Sequence, residues 1–279
     1  MADGFLDRVT AAVATHGPLC AGIDPSAALL ADWGLTDDAR GLREFCRVCV
    51  EAFAGAVAVV KPQVAFFERH GAAGLAELER LIAEAQSAGL VVIADAKRGD
   101  IDSTAEAYAE AWLSESSPLA ADAVTAHPYL GLGALAPLIR LAGVSGRGVL
   151  VVARSSNPEG RSLQLATTAE GSAVEDMLLG GIAALNASEG IPTGTVGAVI
   201  GATLSPSHYP LSQFGGVILA PGLGAQGAGP ADVATRFAGC APGSVLPSSS
   251  RGLLRHGPDH AAMRREAVSL SRELAVAMA

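Results

Sequence analysis

The chain is nearly free of lysine: only Lys61 and Lys97 occur, against seventeen arginines. With cationic surface work handed to arginine, a surviving lysine marks a place where arginine cannot serve. Arginine does not release its proton near neutral pH, whereas a lysine ammonium can, and its pKa moves readily on burial. Aromatic residues are also scarce, at 4%. The apolar half of the chain is mostly Ala, Val and Leu, which suits helices and buried parallel strands. No apolar run approaches the ~20 residues needed to span a bilayer, so the positive mean hydropathy reads as a large core and no membrane partner is expected. A basic segment followed by an apolar one is missing from the N-terminus, which instead reads as a short amphipathic helix over about residues 2–15. No secretory signal is visible, and a cytoplasmic protein is expected. The net charge of −9 leaves no broad basic surface for a nucleic-acid backbone, yet permits a small phosphorylated ligand held by one local cation.

Cysteine is sparse too, with Cys20, Cys46, Cys49 and Cys240. Cys46-Arg47-Val48-Cys49 has the C-x-x-C form, but no thioredoxin-like context surrounds it and no second pair completes a zinc site. It lies in a helical pattern with Leu42, Phe45 and Phe53, where the spacing predicts small buried hydrophobes on one face.

Eight apolar, β-rich runs alternate with Ala/Leu/Glu-rich helical segments. The runs cover residues 19–23, 56–60, 90–94, 123–126, 148–153, 196–200, 216–220 and 244–246. Helical segments are expected over 72–88, 103–114, 134–142, 173–187 and 230–237. Near-continuous apolar strands alternating with helices mean a parallel sheet covered by helices. Eight such units in a chain of 279 residues predict a single (β/α)8 TIM barrel, with a doubly wound open sheet as the other arrangement. No linker divides the chain, so residues 1–279 are expected to form one domain. A longer excursion covers 154–195 between the fifth and sixth strands, and an amphipathic C-terminal helix starts at about 259.

In such a barrel the active site gathers at the C-terminal ends of the strands. Strand 1 ends in Asp24, strand 2 in Lys61, and strand 3 in Asp95 and Lys97. Strand 5 leads to Ser155-Ser156-Asn157, strand 7 to a glycine-rich loop over 222–229, and strand 8 to Ser250-Arg251-Gly252. Strand alternation puts Asp95 and Lys97 on one face, and Lys61 on the neighbouring strand points to the same centre. Carboxylates alternating with ammonium groups hold one another ionised. A purely structural ion network in that position would be costly. Three nearby residues are expected to do other work: Arg98 as a solvated or phosphate-facing arginine off the reaction centre, His127 as a hydrogen-bonded structural histidine, and Asp102 as a helix N-cap. Gly222-Leu223-Gly224 lacks the later glycine of a dinucleotide fingerprint and follows the seventh strand, so it is not read as one.

The set formed by Asp24, Lys61, Asp95-Ala96-Lys97-Arg98-Gly99-Asp100-Ile101, Ser156-Asn157-Pro158, Pro221-Gly222-Leu223-Gly224-Ala225-Gln226-Gly227 and Ser248-Ser249-Ser250-Arg251 resembles the orotidine 5′-phosphate decarboxylase family, in the form of its longer bacterial subgroup. The resemblance runs from about residue 20 to 252. D-x-K-x-x-D alone is shared with related barrels; P-G-x-G-A-Q-G in the correct later position makes the set specific.

The resemblance implies cofactor-free, metal-free decarboxylation of orotidine 5′-phosphate to UMP. Lys97 would protonate C6 of the pyrimidine, Asp95 would sit beside the departing carboxylate, Lys61 would bridge Asp95 and the ribose, and Asp24 would bind ribose hydroxyls. Asp100 would complete the charged tetrad, entering with Ile101 and Thr104 from the partner subunit of a homodimer. Ser156, rather than its neighbour Ser155, would bond the base amide. Gln226 and Arg251 would hold the phosphate, aided by backbone amides near Gly252, under a lid formed by 222–229. Two other readings remain at this point. One is a Mg2+-dependent sugar-phosphate decarboxylase or epimerase of the same barrel superfamily, whose acidic ligands the two lysines here already neutralise. The other is a non-catalytic nucleotide-phosphate binder, which would have no need of the full tetrad.

Overall fold

Runs of Val, Ile, Leu and Ala that are apolar at nearly every position form strands buried on both faces, and a parallel sheet offers that environment. In a computed structural model, which describes residues 4–205, 208–224 and 227–279, the strands are β1 (Cys20–Ile23), β2 (Val59–Pro62), β3 (Val91–Arg98), β4 (Ala123–Ala126), β5 (Gly148–Arg154), β6 (Val196–Ile200), β7 (Ile218–Pro221) and β8 (Val245–Ser249). All neighbours pair in parallel, and β1 bonds to both β2 and β8. The sheet is therefore a closed eight-stranded barrel ringed by helices, a (β/α)8 TIM barrel. Hydrophobic periodicity cannot distinguish closure from an open sheet; the β1–β8 pairing does.

The core has two layers. One lies between the strands and the surrounding helices. The other fills the barrel, with Val59, Ile93, Leu150 and Leu246 among its side chains. The helix Phe5–His16 contributes Phe5 and Val9, both fully buried, to that inner layer. Phe5 packs so closely on β5 that a Cβ at Gly148 would lie 2.3 Å from its ring. At the other end of the chain, the helix His260–Ala277 is capped by Asp259, whose carboxylate accepts from the Ala262 amide at 3.0 Å. It packs on the helices Ala39–Phe53 and Pro230–Arg236 and closes the outer ring. Cys46 and Cys49 face the core from the helix Ala39–Phe53, and all four cysteines are free. Burial pushes both of these thiols well above the usual thiol range, as inert packing residues require.

Several strands differ from the sequence expectation in one direction: they run past the end of the apolar run. β2 takes in Lys61 and Pro62, β3 continues to Arg98, and β8 continues to Ser249. Backbone pairing persists where the side chains turn polar, because Lys61, Asp95 and Ser248 face the barrel mouth. The residues expected just beyond the strands thus belong to the sheet itself, which holds them more rigidly than loops would.

Candidate active site

Asp95 is the hub of the mouth. Its Oδ2 accepts hydrogen bonds from Lys61 Nζ at 3.0 Å and Gln63 Nε2 at 3.0 Å. Its Oδ1 accepts from Lys97 Nζ at 2.6 Å and Thr125 Oγ1 at 2.9 Å. Four donors saturate the carboxylate and fix its orientation. Lys61 is buried, while the Lys97 side chain is half exposed and thus the more available to a ligand. Asp24 stands just past β1, with Oδ1 buried, without a hydrogen-bond partner among the described residues, and 4.0 Å from Lys61 Nζ. The close approach of β1 to the β8 loop needs Gly22, where a Cβ would lie 1.8 Å from Ser250 Oγ.

Lys97 reaches the Asp95 carboxylate by a distorted route. Ala94 pairs with Val124 and Arg98 with Ala126, so Asp95, Ala96 and Lys97 together face only Thr125. The bulge puts Lys97 at φ +49°, a left-handed conformation that costs a non-glycine residue about 1–3 kcal/mol and recurs at functional sites. The Lys97 amide is anchored by donating to Thr125 Oγ1 at 2.9 Å.

These groups line a cleft of about 300 Å³ at the C-terminal ends of the strands. Val152, Val199 and Leu219 supply an apolar wall, and Ser156, Gly222, Leu223 and Arg251 complete the rim. Three cations, Lys61, Lys97 and Arg251, face two carboxylates, Asp24 and Asp95, so the cavity is locally cationic in a chain whose net charge is −9. Such a site attracts an anion with an apolar body.

The model of the orotidine 5′-phosphate decarboxylase / HUMPS family matches residues 17–265. The chain belongs to this family. Curated orotidine 5′-phosphate decarboxylases resemble it over nearly their whole length. That of Streptomyces coelicolor is 52% identical over 275 residues, 98% of each chain, and that of Salinispora arenicola is 51% identical over 265 residues, 95% of each. A solved structure from Streptomyces avermitilis that bears the same decarboxylase name superposes with a TM-score of 0.94 at 52% identity, over 99% of this chain and 96% of its own.

Of the positions that carry the family resemblance, the fold brings Asp24, Lys61, Asp95, Lys97, Ser156 and Arg251 into one cleft. Gln226 and Ala225 of the glycine-rich loop lie outside the described residues. Gly252 follows Arg251 in the short helix Arg251–Leu254 and does not line the cleft. Asp100, Ile101 and Thr104 also stay off it within a single chain: the Asp100 carboxylate accepts from the Ile101 amide at 2.8 Å, and the Ile101 side chain is 50% exposed.

Sequence reading missed Thr125 and Gln63. A polar residue inside the apolar run Ala-Val-Thr-Ala of β4, and a glutamine just past the end of β2, two places after Lys61, were the available signals. Three expectations are corrected. Arg98 stands off the cleft as expected, but it is only partly exposed: it pairs with Glu68 and lies over Tyr108 and Trp112. Asp102 caps no helix among the described residues. It opens the helix Asp102–Leu113 at φ +47°, after Ile101 in the cap position with no side-chain cap bond. The His127 side chain makes no hydrogen bond among the described residues; its ring packs on Gly99, with Nε2 3.0 Å from where a Cβ would stand.

The network is electrostatically locked. Burial alone would raise the Asp95 carboxyl, but Lys61 and Lys97 outweigh it and hold the group well below the usual carboxylate range. Burial alone would lower the Lys61 ammonium, but Asp95 and then Asp24 outweigh it and hold Lys61 above the usual lysine range. A depressed carboxyl stabilises the fold fully above its unfolded value of ~3.9 and loses that contribution as pH falls through the folded one. A raised ammonium contributes fully below ~10.4 and loses its contribution as pH rises through the folded value. Neither group should titrate between about pH 5 and 9. The stability difference between the protein and Asp95→Asn, measured by urea unfolding, is expected to shrink below about pH 4. A difference that stays unchanged as pH falls below about 4 would refute the locked network.

Proposed function

We propose that this protein decarboxylates orotidine 5′-phosphate to UMP and CO2, the last step of de novo UMP synthesis in the cytoplasm, without cofactor or metal. The observation that carries the reading is the cationic cleft built around Asp95, with one lysine buried behind it and a second exposed in front. Breaking the bond from C6 to the carboxylate leaves an electron pair in an sp2 orbital that the pyrimidine ring cannot delocalise. A preorganised cation beside that position lowers the barrier. Lys97 supplies it, then transfers a proton to C6, which completes UMP; the neutral amine regains its proton from solvent. Asp95 sits beside the departing carboxylate, and Lys61 keeps it charged and reaches toward the ribose.

The remaining groups fit the rest of the nucleotide. Asp24 Oδ1, which lacks a hydrogen-bond donor among the described residues, is a ready acceptor for a ribose hydroxyl. The Ser155 hydroxyl is engaged by Asn157 and Gln164, whereas that of Ser156 has no partner among the described residues, which supports Ser156 as the contact to the base amide. Arg251 and Gln226 hold the phosphate with amides near Gly252, and residues 222–229 close over it. Binding energy from the remote phosphate is thereby available at the reacting carbon.

Asp100, Ile101 and Thr104 enter the site of the partner subunit in a homodimer. A Lys97→Ala chain and an Asp100→Ala chain, each inactive alone, should on mixing and exchange recover about a quarter of wild-type activity, since half the dimers are then mixed and each has one intact site. No recovery in demonstrably mixed dimers would refute the shared site.

The reaction itself is tested with purified protein and orotidine 5′-phosphate in EDTA, following ultraviolet absorbance and UMP by chromatography. Rapid conversion is expected. A folded protein that makes no UMP would overturn the reading and bring keto-sugar phosphates with Mg2+ forward.

A further inference from the structure

Arg98 lies outside the cleft, yet it ties the Lys97 bulge to two neighbouring elements. Its Nη1 donates to the Ala96 carbonyl at 2.7 Å, inside the bulge. Its Nη2 pairs with the Glu68 carboxylate, at the end of the short helix Ala65–Glu68 that follows β2 and Lys61. The guanidinium also lies over the Tyr108 and Trp112 rings, 5.8 and 5.5 Å from their centroids, and both rings belong to the helix Asp102–Leu113. One side chain thus spans three elements and closes back on the backbone of the residue before Lys97.

A left-handed lysine does not hold its conformation unaided, because the surrounding structure must over-determine it. On the inner side the Thr125 hydroxyl holds the Lys97 amide. On the outer side the contact to the Ala96 carbonyl is from Arg98. The planar fork of arginine can bond a carbonyl and a carboxylate at once while stacking on rings; a lysine there would do one of these at a time.

We propose that Arg98 is a positioning residue that clamps the bulge from outside and so sets where the Lys97 ammonium stands. It touches neither substrate nor cleft. The inference rests on the decarboxylase reading for its kinetic consequence only; its structural consequence can be read without any substrate.

Because the chain has two lysines, protein labelled with 15N-lysine gives two backbone amide signals, one of them the Lys97 amide bonded to Thr125. In Arg98→Gln the Lys97 signal should move while that of Lys61 stays. kcat should fall by about tenfold or more, as expected when a reacting group is displaced by a fraction of an ångström to one ångström. KM should change by less than about threefold, since no binding contact is removed. Arg98→Lys should recover only part of the loss. Glu68→Gln, at an exposed position less prone to disturb folding, should shift the same signal in the same direction by a smaller amount. An unmoved Lys97 signal in folded Arg98→Gln, an unchanged kcat, or a fall in kcat that merely tracks lost folded fraction would overturn the clamp. A wild-type protein that makes no UMP would instead refute the reaction, while the amide signals still decide the clamp.

Discussion

Lys97→Ala is expected to lower the conversion of orotidine 5′-phosphate by about 10⁴-fold or more, because on the proposed mechanism it removes both the cation beside the developing carbanion and the proton donor. That loss corresponds to roughly 5.5 kcal/mol of transition-state stabilisation. Folding should survive: the Lys97 side chain is half exposed, and Asp95 keeps Lys61, Gln63 and Thr125. Thermal melting close to that of the wild type, together with lost turnover, is therefore the expected pair of results. Lys61→Ala should differ in kind. Lys61 is buried against Asp95 and Asp24, so its removal leaves carboxylates short of a counter-charge and costs stability as well as rate. Lys97→Arg keeps a charge but supplies no proton near neutral pH, and is expected to be nearly as inactive as the alanine variant. Turnover of Lys97→Ala within about tenfold of wild type would sink the assignment, and a fully active Lys97→Arg would remove proton donation from it.

The largest stability effect is expected at a cluster with no counterpart in the sequence reading. Arg154 at the end of β5, Glu175 in the first turn of the helix Val174–Asn186 and Arg236 in the last turn of the helix Pro230–Arg236 meet in the interior. Glu175 Oε2 pairs with Arg154, and Oε1 lies 3.6 Å from Arg236 Nη2. The three side chains are 8%, 2% and 3% exposed, so one carboxylate serves two buried guanidiniums. Burial lowers Arg236 from the usual arginine range against the pull of Glu175, and its Nε and Nη2 lack hydrogen-bond partners among the described residues. Glu175→Gln would leave two buried cations facing each other, at a cost of about 3–5 kcal/mol. For a domain of this size that is a fall in Tm of roughly 10 °C. Arg236→Met removes the excess cation and leaves Arg154 and Glu175 as a matched pair, so it should cost less than half as much by urea unfolding. A Glu175→Gln loss below about 1 kcal/mol would mean that water solvates the cluster.

Much of this architecture was legible because burial is written residue by residue. Each of the eight strands could be located from its apolar run, and the residues closing those runs marked the mouth of the barrel. The same criterion ended the strands too early, since it stops at the first charge while pairing in β2, β3 and β8 continues through Lys61, Asp95, Lys97 and Ser248. Arg98 and Asp102 were misjudged for a related reason. Arginine in a loop-like string reads as solvated, and an aspartate before a helix reads as a cap, unless the Glu68, Tyr108 and Trp112 contacts of the one and the left-handed backbone of the other are known.

By itself the sequence determined the layered α/β class, the order of its units, the identity of the charged groups and the scarcity of lysine that singles two of them out. These follow from local patterning and from what each side chain can do chemically. Only the tertiary structure decided that the sheet closes, that Lys61 and Asp95, 34 residues apart, lie within 3.0 Å, that Lys97 adopts a left-handed turn, and that Arg154, Glu175 and Arg236 share one buried site. Polar contacts of that kind depend on the register between distant strands and helices. A shift of one residue turns every side chain of a strand to the other face, so which charges meet is a property of the assembled barrel.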